Sequence, residues 1–405
     1  MPNDPIADTT PIYGTEWNLK INRPLIFVPG ILGSRLIDTT TGKSLWPNIN
    51  ANSKGEITLG DPSLSKLPRN PGRECNLDPT GSNKDLLFPE SYTQLLNFIE
   101  LVLKYKPGHD YWVFAYDWTQ SNKVSGTLLA AFAKQKLEQF NRSHGTTAEE
   151  VDFIAHSMGN FVVRAACVLN GANANRYVSI CQPAFGAPKA LFVLHFKIPF
   201  KVVSGWFSEL VANFVWRNYV RQNDDEDDLG KEIQIVAAQL DSIYELLPDA
   251  HGLSTNPVIH VENDPLTPDL WLKTPEESYI EPPHKGVRRP DPLRFPSHAF
   301  KRIREAMEFK RSLGIAMPGK NTMGIYSSDQ RTEDFIEYDD WREDPPWNAS
   351  EWDSPDASSD ENGDGTVPAW SATVGSEQAK VPGTHSGVPN SIMAHRRILS
   401  FFLRT

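Results

Sequence analysis

Residues 151–166 read V-D-F-I-A-H-S-M-G-N-F-V-V-R-A-A. Val151–Ile154 is an apolar, β-type run, and Asn160–Leu169 is an apolar run of helical character. Between them, at Ser157, there is room only for a sharp turn. Such a turn crowds the backbone on both sides, so small residues are needed two before and two after the serine. Ala155 and Gly159 occupy those places. Strand, tight turn at serine and immediate helix make the context of a nucleophile elbow, with the positive end of the helix facing the serine. A helix-capping serine is the plainer alternative for the pentapeptide taken alone.

Outward from this stretch, Leu25–Val28, Tyr111–Ala115, Arg176–Cys181 and Thr322–Tyr326 read as strands. Tyr92–Val102 carries apolar residues at 95, 96, 98, 99 and 102, a helical spacing, and Val124–Phe140 is amphipathic. Further helices are expected near Phe300–Leu313 and Ser391–Phe402. The alternation predicts an α/β fold, with a mostly parallel central sheet and helices on both faces. The polar stretch from about Thr39 to Lys84 reads as loops, and so do the acidic, Trp-rich residues 333–362. The rhythm breaks after Pro188. Residues 191–295 mix aromatic runs, an acidic cluster (Asp224, Asp225, Glu226, Asp227, Asp228) and Pro-rich turns. They are predicted to form an inserted cap or lid, which divides the core into residues 20–190 and 296–405.

The chain has 405 residues, which fits two domains or one large domain with insertions. Its formal net charge of −11 argues against nucleic acid as a partner and does not favour an anionic membrane. Three cysteines make no disulfide framework, and Cys167 and Cys181 read as buried thiols. The first residues, M-P-N-D-P-I-A-D, lack a basic region followed by an apolar one. The expected location is therefore cytoplasmic, or secreted or luminal if a leader precedes this sequence. No run reaches the roughly 18 apolar residues of a membrane span. The acidic cluster lacks the glycine and ligand spacing of a calcium loop and reads as a solvated loop. No metal or organic cofactor is expected.

Three further motifs bear on chemistry. In L-I-F-V-P-G-I-L-G-S (25–34), a strand runs into Pro-Gly, a turn that can present the backbone N–H of Ile31. With the N–H of Met158, it would form an oxyanion hole. In N-G-D-G-T-V-P (362–368), glycines flank Asp364 and let the backbone aim its carboxylate. In G-T-H-S-G-V-P-N (383–390), His385 sits in a Gly-rich loop before the last helix. The order Ser157, Asp364, His385 is the Ser–Asp–His order of α/β-hydrolases. The rival histidines fit less well: His156 should point away from the serine side chain, His395 should pack inside a helix, and His109 precedes a strand.

A wider set of segments runs in the same order: F-V-P-G-I-L-G-S-R-L with L-W-P after it, Y-D-W (116–118), A-H-S-M-G, F-G-A-P (185–188), Y-E-L-L-P-D (244–249) and G-D-G-T-V-P. Together they resemble the lecithin:cholesterol acyltransferase-like α/β-hydrolases, which include lysosomal phospholipase A2 and phospholipid:diacylglycerol acyltransferase. The resemblance implies acyl-ester chemistry on lipids through an acyl-enzyme, with Ser157, Asp364 and His385 as the triad. Thr119 follows Y-D-W where the family commonly has arginine. The expected partners are an ester or lipid substrate and, transiently, a lipid surface. The apolar, amphipathic run from Leu191 to Val220, with Trp206 and Phe207, is expected to supply the acyl-binding wall, either as a fixed cap or as a lid that opens on lipid. The other readings are an esterase or lactonase on a soluble ester, and a catalytically silent binding module on the same fold.

Overall fold

The computed structural model describes residues 10–34, 36–37, 44–46, 49–51, 57–59, 92–190, 240–248, 259–261, 297–332, 336–338 and 362–405. Trp206, Phe207, the acidic cluster at 224–228 and Cys75 lie outside the described residues, as does most of the expected cap.

A six-stranded sheet organises the chain. Its strands are β1 (Leu25–Val28), β6 (Tyr111–Val113), β7 (Val151–His156), β8 (Ala174–Ile180), β10 (Asn321–Tyr326) and β12 (Glu377–Lys380). Their order is β12-β10-β8-β7-β1-β6, and every pairing is parallel. An all-parallel sheet needs both faces covered, so its central strands are buried on both faces rather than alternating. Residues 25–28 and 151–156 are buried without a break.

Alternate side chains along each strand enter opposite cores. Ile26, Val28, Phe153 and Ala155 join helices α2 (Asn122–His144), α3 (Gly159–Asn170) and α5 (Ser297–Leu313) on one face. Leu25, Phe27, Ile154, Val178 and Ile325 join α1 (Thr93–Leu101) and α7 (Ile392–Arg404) on the other, and the short helix α6 (Ala369–Ala372) follows the Asp364 loop. The short helix α4 (Asp241–Glu245) falls within the stretch predicted as cap. Ile243, Tyr244, Leu246 and Leu247 nevertheless pack in the first core.

Several readings are refined. The region predicted as loops from Thr39 contains three strands: β3 (Ser44–Trp46), antiparallel to β2 (Leu36–Ile37) just before that region, and β4 (Ile49–Ala51), antiparallel to β5 (Ile57–Leu59). The stretch 333–362 contributes β11 (Ile336–Tyr338), which pairs in parallel with β9 (Ile259–Val261). Cys167 is half-buried rather than buried, because it lies where α3 turns toward solvent; Cys181 is buried, and both thiols are free. Among the described residues, no helix is long and apolar enough to cross a membrane.

One ion pair sits inside this apolar frame. The Asp152 carboxylate on β7 accepts from Arg176 Nη2 at 2.6 Å, from Arg176 Nε at 2.9 Å and from the Arg176 backbone N–H at 3.0 Å. The Arg176 guanidinium lies 4.2 Å from the centre of the Phe402 ring on α7. The pair therefore ties two central strands to the last helix. Removing one partner strands the other charge in a dry interior. Arg176→Leu is expected to cost about 3–5 kcal/mol, seen as a lower urea midpoint with the slope of the transition unchanged. A loss below about 1 kcal/mol would place the pair among weakly coupled, solvated ones.

Candidate active site

The C-terminal edges of β1, β7, β8, β10 and β12 meet at one place, and the predicted residues collect there. In open α/β sheets this edge is where ligands bind. Ser157 follows β7 directly, with φ at 53°, in the left-handed region. Its N–H donates to the carbonyl of Ile180 at 2.9 Å, and its own carbonyl accepts from the Asn160 N–H at 3.1 Å and from Asn160 Nδ2 at 2.8 Å. Gly159 is required by a close approach: a Cβ there would lie 2.4 Å from the Pro29 carbonyl oxygen and 2.7 Å from that of Val28. The end of β1 thus lies flush against the start of α3, and a methyl group at that position has nowhere to go.

Asp364 is buried on a loop bound to residues 330–332. Gln330 exchanges backbone hydrogen bonds with Gly363, and the Gly365 N–H donates to Thr332 Oγ1 at 2.8 Å. Lys189 Nζ donates to the Gly365 carbonyl at 2.8 Å. Asp364 Oδ1 accepts from the backbone N–H groups of Val367 at 2.7 Å and Thr366 at 2.9 Å. Its Oδ2 lies 2.7 Å from His385 Nδ1. Burial alone would raise the Asp364 pKa. The facing His385, the Val367 amide and the Cys181 thiol reverse this and hold it below the usual carboxylate range.

His385 follows β12 and is fixed at both ends. Its backbone N–H donates to the Asp364 carbonyl at 2.8 Å, and the Gly383 N–H donates to the Asp329 carboxylate at 3.1 Å. His385 Nε2 lies 2.8 Å from Ser157 Oγ. The structure therefore brings Ser157, His385 and Asp364 into one chain of hydrogen bonds. Ile31 and Met158 flank the serine. Among the described residues, neither backbone N–H has a hydrogen-bond partner.

The loop carrying Ile31 is propped from below by Y-D-W. Tyr116 Oη donates to the Pro29 carbonyl at 3.1 Å, Trp118 Nε1 donates to the Ser34 carbonyl at 3.1 Å, and the Tyr116 N–H donates to Ser34 Oγ at 3.1 Å. Thr119 donates to Asp117 Oδ1 through both its N–H, at 3.0 Å, and its hydroxyl, at 2.6 Å.

The other histidines lie elsewhere. His395 is buried in α7, stacked on Phe98 at 4.6 Å, with Nε2 2.9 Å from the Pro389 carbonyl. His109 lies before β6, at the opposite edge of the sheet, with Nδ1 2.5 Å from Asp110 Oδ1. His156 points away from the serine hydroxyl, into a buried contact with Tyr92 and the His385 carbonyl. Sequence reasoning missed Cys181, Tyr92 and the Thr366 and Val367 amides. Backbone amides carry no residue-type signal, and the other two act across long sequence separations.

Against this geometry, residues 89–204 match the family model of lecithin:cholesterol acyltransferase. Over that stretch the chain is similar to the lecithin:cholesterol acyltransferase family. The match covers under a third of the chain, including the elbow. Over nearly its whole length, the fold of the chain is similar to that of a chain in the crystal structure of the Tle4–Tli4 complex. The TM-score is 0.52 at 17% identity, over 94% of this chain and 98% of that one. The Bacillus licheniformis lipase BlEst2 is more distant. Its propeptide form gives a TM-score of 0.37 at 10% identity, over 94% of this chain and 50% of that one. Its mature form gives 0.33 at 11% identity, over 91% and 87%. No curated protein sequence matches the chain.

The buried histidines make stability depend on pH. Burial, followed by the neighbouring His385, pushes His156 down to about 3, and burial pushes His395 down to about 4. An unfolded histidine titrates near 6.5. Below that pH the unfolded chain takes up protons that the folded chain refuses. Stability from these rings is thus full above pH 6.5 and falls as pH drops toward 4 for His395 and 3 for His156. The slope is up to ~1.4 kcal/mol per pH unit for each ring. Urea unfolding of the wild type and of His395→Phe at several values between pH 6.5 and 4.5 should show the variant losing about one proton's slope less. Identical pH dependence would contradict the assignment.

Proposed function

We propose that the chain is a serine ester hydrolase working through an acyl-enzyme on Ser157, with lipid acyl esters as its substrate class and water or an alcohol as acyl acceptor. The observation that carries this reading is the chain of 2.8 Å and 2.7 Å contacts from Ser157 Oγ through His385 to Asp364. With Nδ1–H of His385 held by Asp364, Nε2 presents its lone pair to the serine hydroxyl. His385 takes the Ser157 proton as Oγ attacks the ester carbonyl. The carbonyl π electrons move to oxygen, and the amides of Ile31 and Met158 receive that oxyanion. The tetrahedral adduct collapses, the C–O bond to the alcohol breaks, and His385 protonates the departing alkoxide. Water or a second alcohol then gives its proton to His385 and attacks the acyl-enzyme; the acyl–Oγ bond breaks, His385 returns the proton to Ser157 Oγ, and the acid or new ester leaves. Asp364 stays ionised throughout and stabilises the imidazolium. No step calls on a metal or organic cofactor.

The lipid substrate class rests on the family match, whose description names lecithin and cholesterol. The esterase or lactonase reading differs in acyl length. A turnover panel of short esters, long-chain esters and phospholipids, each with and without an added alcohol, separates the two. Preference for long acyl chains supports the lipid reading. Exclusive turnover of short soluble esters overturns it.

Ser157→Ala is expected to abolish turnover and fluorophosphonate labelling while leaving folding intact. His385→Ala should lose a comparable number of orders of magnitude, because the two residues act as a unit. His395→Ala should lower stability and keep turnover within a few-fold. Near-wild-type turnover in a purified Ser157→Ala preparation would sink the serine mechanism, and reversed phenotypes of the two histidine variants would reassign the base.

A further inference from the structure

His156 stands beside the nucleophile and takes no part in the mechanism above, yet it is buried and bonded at both ring nitrogens. Its Nε2 lies 3.0 Å from the backbone carbonyl of His385, and its Nδ1 lies 2.9 Å from Tyr92 Oη. The Tyr92 hydroxyl in turn accepts from the backbone N–H of Gly30 at 3.0 Å. These contacts have one consistent direction. A carbonyl only accepts, so His156 Nε2 carries the proton. In a neutral ring Nδ1 is then bare, so the Tyr92 hydroxyl donates to it. That leaves the tyrosine oxygen to accept from Gly30. The run Gly30 N–H, Tyr92 O–H, His156 ring, His385 C=O is thus fully satisfied, with no group left over.

The two ends of this run are the two sides of the active site. Gly30 is the residue before Ile31, and a Cβ on Gly30 would lie 2.9 Å from the Ser157 Cβ and 3.2 Å from His156 Nδ1. The other end is the backbone of His385, whose ring centre lies 4.9 Å from that of His156. A second tie runs in parallel: the N–H groups of Gln94 and Leu95, at the start of α1, donate to Asn390 Oδ1 at 3.1 Å and 3.3 Å.

Building on the serine mechanism above, we propose that Tyr92 and His156 are positioning residues that hold the Gly30–Ile31 turn and the His385 loop in register across the nucleophile. Tyr92 sits at the start of α1 with its ring edge-on to Phe27 at 4.9 Å, so removing its hydroxyl leaves its packing in place. Its loss frees the Gly30 peptide to rotate and leaves His156 Nδ1 without a donor. The neighbouring Ile31 amide then swings out of line with the oxyanion. Removing an oxyanion donor outright costs about 10²–10³ in kcat. A displaced donor should cost less, about 10- to 100-fold.

The test uses the full chain and a p-nitrophenyl ester. Wild type and Ser157→Ala are compared first; a wild type without Ser157-dependent turnover sinks the parent mechanism and this proposal together. Tyr92→Phe is then expected to lower kcat about 10- to 100-fold with KM within about threefold, the pattern of an interaction made only in the transition state. Its affinity for a trifluoromethyl ketone, which forms an oxyanion on Ser157, should weaken by the same factor as kcat. A merely structural role would lower stability without that parallel loss. Tyr92→Phe/His156→Leu should be no slower than the slower single variant, because the two residues belong to one relay. As a readout independent of turnover, ¹⁵N-histidine NMR, with the His156 resonances assigned by their loss in His156→Leu, should show that ring neutral and protonated at Nε2, with an Nδ1 resonance that moves in Tyr92→Phe. With Ser157-dependent turnover intact, an unchanged kcat in Tyr92→Phe overturns the proposal. So does a kcat loss without weaker ketone binding, or a His156 ring protonated at Nδ1.

Discussion

Ser157 is held in a backbone conformation that a residue with a side chain adopts at a cost of about 1–3 kcal/mol, and the surrounding structure is arranged so that it cannot leave. Its N–H is fixed to β8 and its carbonyl to Asn160. Asn160 is itself held by the Tyr177 hydroxyl, which donates to Asn160 Oδ1 at 2.8 Å. On the other side, Gly159 presses against the last carbonyls of β1. The strain is not confined to the serine. Leu32 after β1 and Cys181 after β8 also adopt positive φ, at 61° and 49°. Three adjacent strands therefore end in left-handed turns, all at the edge where the chemistry is placed.

The site divides into two subassemblies. One is the elbow with the turn after β1, held by packing of apolar strands and by Y-D-W beneath. The other is the Asp364–His385 pair, held almost wholly by hydrogen bonds: a side-chain contact, a backbone contact, and the anchors at Thr332, Lys189 and Asp329. The first is rigid because its backbone has no room. The second is held by paired polar groups, and losing a contact of the buried Asp364 or Lys189 leaves a buried group unpaired.

Legibility in the sequence followed the same division. Steric demands leave residue-type signatures. The elbow, the Pro-Gly turn and the glycines around Asp364 could be read because few residues fit there, and the central strands because burial on both faces makes them continuously apolar. Strand β12, E-Q-A-K, was not legible as a strand, since it is an edge and buries only Ala379. The pairs β2–β3 and β4–β5 consist of strands of two or three residues, too short for periodicity to register. Tyr92 and His156 were opaque for a different reason. Their meaning lies in contacts 64 and 229 residues apart, and no local pattern encodes a partner at that distance.

That separation has a consequence for the order in which the chain becomes competent during synthesis. The backbone contacts that hold Ser157 itself lie between Val28 and Ile180. The base arrives 228 residues after the serine, on a loop anchored to another late segment. On the proposed mechanism, a chain still lacking that loop has a Ser157 hydroxyl with no proton acceptor, an ordinary, unreactive alcohol. On the proposed mechanism, reactivity therefore requires β12 at the sheet edge, since the loop that carries His385 follows that strand.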